Sequence, residues 1–175
     1  MTLVYLDCET TGLDPDLHEV WEIAYAVDDG PVNSGCVMHN AVGADPEALR
    51  LNRYFDRFNG DDYFHDALRF EFDVRQALTG ATVVAANPSF DTAMLRARWG
   101  CELWHHRKID IETFALPLLG LKQGRPRGLA DIAAALHIQA PDHTAAGDVY
   151  TLRECYRALW AKYDALHAAT PRGPE

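Results

Sequence analysis

Apolar positions along the 175-residue chain fall into blocks of two different periods. Leu3 to Glu9 begins with apolar residues on both faces, the pattern of a strand near the middle of a sheet, and Thr10-Thr11-Gly12 breaks it. Val20 to Val27 predicts a second strand, closed by a turn at Asp28-Asp29-Gly30-Pro31. Cys36 to His39 predicts a third. Pro46 to Phe58 predicts a helix capped by Asp45, with Pro46 in its first turn. Phe70 to Leu78 predicts another helix, and Ala81 to Ala86 a short buried strand. Asn87-Pro88 then opens a helix that runs to Trp99 and stops at Gly100. A short strand over Lys108 to Ile111 leads into a helix over Glu112 to Leu119. Lys122 to Gly128 reads as a loop and Leu129 to Leu136 as a short helix. In the last helix, Ala146 to His167, Val149, Leu152, Tyr156, Leu159, Tyr163 and Leu166 recur at helical spacing.

Strands first, then strands interleaved with helices, predict an α/β domain with a mixed sheet. The length fits one domain, expected over residues 1–169, and apolar residues make up 48% of the chain, enough for a core. Residues 170–175 carry two prolines and a glycine and are expected to fray. No stretch is apolar for long enough to span a bilayer, and no basic region precedes the first apolar run. The expectation is therefore a soluble, cytoplasmic protein without a membrane partner. The four cysteines form no CxxC pair and are expected to be reduced and mostly buried.

Charge changes this picture. Residues 1–49 contain ten carboxylates and no lysine or arginine, whereas 50–175 balance 16 acids with 16 bases, so the net charge of −10 belongs to the first segment. A nucleic-acid binder usually presents a basic face, so the global charge argues against one unless cations are held in that segment. A solvated acidic surface accounts for part of the excess.

The acids are also patterned. In a strand, Asp7 and Glu9 point to the same side. Two carboxylates closing an apolar strand repel each other and resist ionisation if buried. They resolve this by lying exposed, by keeping a proton, or by sharing a hard divalent cation such as magnesium, which prefers carboxylate oxygens.

Asp7-Cys8-Glu9-Thr10-Thr11-Gly12-Leu13 resembles the first motif of the DEDD exonuclease family, which includes polymerase proofreading exonucleases, ribonuclease T and oligoribonuclease. Ala86-Asn87-Pro88-Ser89-Phe90-Asp91 resembles the second motif, an aspartate one turn into a helix that follows a strand. His143-Thr144-Ala145-Ala146-Gly147-Asp148 fits H-x-A-x-x-D, the mark of the histidine subclass (DEDDh). The segments around Glu22, Asp110 and Asp131 also resemble the family, so the likeness spans roughly residues 3 to 165. Gly43 to Asp66 matches less well.

The resemblance implies a ribonuclease H-like fold, a mixed β-sheet flanked by α-helices in a single domain. It implies a 3′→5′ exonuclease that hydrolyses terminal phosphodiester bonds of single-stranded DNA or RNA and releases 5′-mononucleotides. Asp7, Glu9, Asp91 and Asp148 would hold two Mg2+ or Mn2+ ions, with His143 as general base. Thr10, Thr11, Gly12, Leu13, Asn87 and Phe90 would contact the 3′ end of the strand. For Leu13 an anchor in the core is an equal reading, and for Phe90 a core position is favoured. Arg50, Arg53 and Arg57, at i, i+3, i+7, are read as one side of a helix that meets a strand or local acids, and Lys122, Arg125 and Arg127 as a basic loop. The oligomeric state stays open, a homodimer included. Two rival readings remain beside this one: a catalytically silent nucleic-acid-binding module, and a metal-dependent phosphodiesterase for small molecules.

Overall fold

The structure, a computed structural model, describes residues 2–58, 63–120 and 128–168. Strand β1 (Leu3–Thr10) is the centre of a five-stranded sheet of order β3-β2-β1-β4-β5. On one side it pairs antiparallel with β2 (Val20–Val27), which carries β3 (Val32–Cys36) antiparallel at the edge. On the other side β1 runs parallel to β4 (Thr82–Ala85), and β4 parallel to β5 (Ile109–Asp110). The sheet is therefore mixed, as the order of strands and helices in the sequence predicts.

Helices cover both faces, which explains the apolar residues on both faces of β1. Tyr5, Ala24, Ala26 and Val84 pack on α5 (Ile111–Leu118), α6 (Leu129–Leu136) and α7 (Ala145–Ala168). Val4, Leu6, Ile23 and Val83 pack on α3 (Tyr63–Leu78) and α4 (Pro88–Trp99). Leu6, Ile23, Leu95 and Leu152 are essentially sealed from solvent, and each such side chain stabilises the fold by about 1.5–3 kcal/mol. A third, smaller cluster joins Trp21 on β2 to Leu49 and Tyr54 of two short helices, α1 (Pro46–Leu51) and α2 (Tyr54–Arg57). No helix among the described residues is long and apolar enough to cross a membrane. All four cysteines are free; Cys8 and Cys155 are buried, Cys36 is half-buried and Cys101 is exposed.

Several sequence expectations are corrected. The third strand is Val32–Cys36 rather than Cys36 to His39. Asn33 and Ser34 are exposed at the sheet edge, so this strand lacks the apolar run that marks an interior one, while the apolar Val37 belongs to the segment that leaves it. The helix expected over Pro46 to Phe58 is two helices, broken where Arg53 adopts a left-handed backbone (φ 53°). Arg50, Arg53 and Arg57 therefore do not share one helix face. The helix expected from Phe70 starts earlier, at Tyr63. The loop bearing Lys122, Arg125 and Arg127 and the expected tail at 170–175 lie outside the described residues.

Candidate active site

Asp7 and Glu9 end the buried part of β1, half-buried and on the face that meets α7. Strand β4 pairs with β1 only over Leu3, Val4 and Tyr5. Past that point the edge of β1 is met by α4, whose first turn carries Asp91: the Cys8 amide donates to Asp91 Oδ1 at 3.0 Å. Asp91 is 3% exposed. Asp148 lies in the first turn of α7, and its Oδ1 accepts the amides of Asp142 (3.0 Å) and His143 (3.2 Å). Carboxylate oxygens of Asp7, Glu9 and Asp148 lie within 4.8 Å of one another. One strand and the starts of two helices thus bring together residues that are far apart in sequence. His143 is exposed and has a left-handed backbone (φ 58°), with its main chain tied to Asp148.

This grouping is electrostatically unfavourable without a cation. Burial, then the charges of Asp91 and Glu9, holds the Asp7 carboxyl well above the usual carboxylate range. Burial, reinforced by Asp148 and Glu22, pushes Glu9 up to about 8, against a smaller opposing pull from Arg57. Burial raises Asp91 to about 7, although the Cys8 amide favours its ionised form. Asp148 is raised by burial and partly relieved by the amides of Asp142 and His143 and by the nearby His143 imidazole. A protein that gathers four acids in this way carries the cost of keeping them ionised unless positive charge joins them.

The donor set fits a hard divalent cation. The clustered ligands are carboxylate oxygens, the type magnesium and manganese prefer, and no thiolate or imidazole is in the group to favour a softer metal. Asp7, Glu9 and Asp148 could ligate one ion directly. Asp91 borders them closely enough for its charge to be the largest carboxylate influence on Asp7.

The turn after β1 is built from its own hydrogen bonds. Thr10 Oγ1 donates to the Gly12 carbonyl at 2.8 Å, and Thr11 Oγ1 accepts the Glu19 amide at 2.9 Å. Thr11 also exchanges main-chain bonds with Glu19 and Asp45. Both threonine side chains are buried, so any contact they make with a bound strand falls to the main chain. A β-carbon on Gly12 would lie 2.4 Å from His18 Cδ2, which is why glycine occupies that position. Leu13 is 74% exposed at the tip of the turn, which removes the reading of it as a core anchor. Phe90 is half-buried against the core on the α3/α4 side. Asn87 occupies the position before α4 but has a left-handed backbone (φ 58°) and makes no side-chain cap bond. Asn87 thus precedes the helix without capping it, and its amide donates a long bond (3.4 Å) to Asp110 Oδ1.

Three residues that support the site were not among its sequence-predicted members. Glu22 sits directly opposite Glu9 in the β1/β2 ladder, so the two side chains share a face. Arg57 forms an ion pair with Glu22, both side chains being largely buried. Asn52, 4% exposed, donates from Nδ2 to the Thr10 carbonyl at 3.0 Å and braces the turn. The signal for Glu22 was a lone acid inside the apolar run Val20 to Val27. Nothing local marked Arg57 as an inward-facing residue.

No protein-family model and no curated protein matches the chain. Solved structures do. E. coli exonuclease I in complex with a dT13 oligonucleotide superposes with a TM-score of 0.71 at 17% identity, over 95% of this chain and 42% of that one. A zinc-ion-bound form of the E. coli exonuclease I complex with single-stranded DNA gives a TM-score of 0.68 at 17% identity, over 95% and 43%. Exonuclease I from Methylocaldum szegediense gives 0.67 at 18% identity, again over 95% and 43%. The chain therefore spans less than half the length of these proteins, and what it shares with them is the fold: the ribonuclease H-like mixed sheet flanked by helices that the sequence led us to expect.

Proposed function

We propose that this chain is a metal-dependent 3′→5′ exonuclease domain that removes 5′-mononucleotides from single-stranded nucleic acid. The observation that carries the reading is the convergence of Asp7, Glu9 and Asp148 within 4.8 Å, with Asp91 anchored beside them. Single-stranded DNA is the favoured substrate, because structural neighbours of the same fold hold single-stranded DNA. Mg2+ or Mn2+ is the favoured ion on the oxygen-only donor set, and a count of two per site is what the family resemblance of the sequence implies. Bound there, the ions supply Lewis-acid activation of water and neutralise charge on the phosphate. Asp7, Glu9, Asp91 and Asp148 would hold them. His143 takes the proton from the attacking water, its peptide fixed by Asp148. Leu13, projecting from the turn, packs against the terminal base, and the main chain of Thr10, Thr11 and Gly12 lines the terminal sugar. Asn87 and Phe90, at the start of α4, flank the same end of the strand.

The test is digestion of matched single-stranded DNA, RNA and duplex substrates, each with a 3′ or 5′ block, in MgCl2 or MnCl2. Stepwise loss of nucleotides from a free 3′ end, abolished by EDTA and by Asp7→Ala, supports the reading. Oligonucleotide binding with no cleavage by the wild type supports a silent binding module. Preference for small phosphodiesters over oligonucleotides supports a small-molecule hydrolase.

A further inference from the structure

The His143 loop is held by more than Asp148. Arg57 Nη1 donates to the His143 carbonyl at 3.2 Å and to the Asn52 carbonyl at 2.9 Å. Its Nη2 is bonded to Glu22 Oε2, and the same carboxylate oxygen accepts the Ala145 amide at 3.2 Å. The guanidinium also lies over the Trp21 ring, 5.0 Å from its centroid. The N–H of His143 is thus held by Asp148, its C=O by Arg57, and the amide two residues on by Glu22. A non-glycine residue with a left-handed backbone persists only where its surroundings impose it, and these three bonds supply that imposition.

We propose that Arg57 is a positioning residue: clamped by Glu22, its guanidinium hooks the His143 main chain and sets where the imidazole stands relative to the carboxylate cluster. Arg57 also ties that loop to Asn52, whose side chain braces the turn after β1, so one side chain joins the two segments that flank the cluster. Lysine cannot replace it. A single ammonium keeps the charge beside Glu22 but lacks the planar fork that reaches Glu22, Asn52 and His143 together.

The inference rests on the nuclease reading for its catalytic consequence, and a double-variant cycle separates the two. Arg57→Lys is the deciding variant, because Arg57→Ala leaves Glu22 unpaired and risks misfolding; circular dichroism monitors both. Arg57→Lys is expected to lower kcat on a labelled oligonucleotide by about 10–100-fold, the scale of a small misplacement of a catalytic group. KM and Mn2+ affinity by calorimetry stay within about threefold. In a His143→Ala background, Arg57→Lys has no further effect on kcat, since it acts through the missing imidazole. The His143 imidazole cross-peak in the NMR spectrum shifts or broadens in Arg57→Lys. Independent, multiplying losses in the double variant, or an unchanged His143 cross-peak, overturn the proposal. A wild type that releases no nucleotides overturns the nuclease reading alone, and the cross-peak then decides the role of Arg57 by itself.

Discussion

Asp91 accepts the Cys8 amide at 3.0 Å, so an acid from the helical layer is pinned to the central strand between Asp7 and Glu9. The bond exists because β4 stops pairing with β1 after Tyr5 and leaves the next stretch of edge open. Asn at this position keeps an oxygen for the Cys8 amide and loses the charge. Asp91→Asn is expected to fold, to melt no lower than wild type in EDTA, and to lose on the order of 100-fold or more in both Mn2+ affinity and oligonucleotide cleavage. Calorimetry and a gel assay check it; near-wild-type cation binding would remove Asp91 from the ligand set.

The raised carboxylates have a signature in stability. Glu9 moves from 4.5 to about 8 on folding, so between those values the folded protein holds more protons than the unfolded one. Stability conferred below pH 4.5 is therefore lost as pH rises toward 8, and Asp7, Asp91 and Asp148 act in the same direction. In EDTA, Tm should fall by about 5 °C or more from pH 5.5 to pH 8. MnCl2 should restore more at pH 8 than at pH 5.5, because protons compete with the cation. A scanning-fluorimetry series with a flat EDTA profile would contradict this account.

His143 is exposed and contributes little packing. His143→Ala should change Tm by less than about 2 °C, leave Mn2+ affinity near wild type, and lower kcat by about 10²–10⁴-fold. Steady-state kinetics beside calorimetry test the separation of binding from proton transfer.

Gly12→Ala drives a β-carbon to 2.4 Å from the His18 ring, and the close atoms include Cγ, so the whole imidazole must move. That ring accepts the Asp14 amide through Nδ1, which the displacement also disturbs. A loss of about 1–3 kcal/mol is expected in urea unfolding.

Leu13→Ala, by contrast, should be neutral for stability within about 0.5 kcal/mol, because the side chain is 74% exposed. Its effect is expected as a higher KM for single-stranded DNA at an unchanged Mn2+ affinity.

Much of this was legible in the sequence because the signals were local. Val20–Val27, ended by the Asp28-Asp29-Gly30-Pro31 turn, and Leu129–Leu136, opened by Gly128, match their sequence-predicted bounds. The edge strand β3 was not, since it is short, pairs on one side only and exposes Asn33 and Ser34. The break between α1 and α2 carries no glycine or proline. It is set by tertiary bonds, Asn52 to the Thr10 carbonyl and Arg57 to Glu22, that no local window contains. At the site, spacing places Asp7 beside Glu9 and the motif resemblance adds Asp91 and Asp148, while the approach of Asp148 to within 4.8 Å of the first two is read from the fold.

Because its donors hang from the first strand and the last helix, an ion bound here is also a cross-link. It joins Asp7 and Asp148 and binds at full strength only when both are in place, so it stabilises the folded chain by mass action. Occupancy of the centre is thereby a gauge of completed assembly: a chain whose final helix has not yet docked lacks Asp148 and grips the metal more weakly.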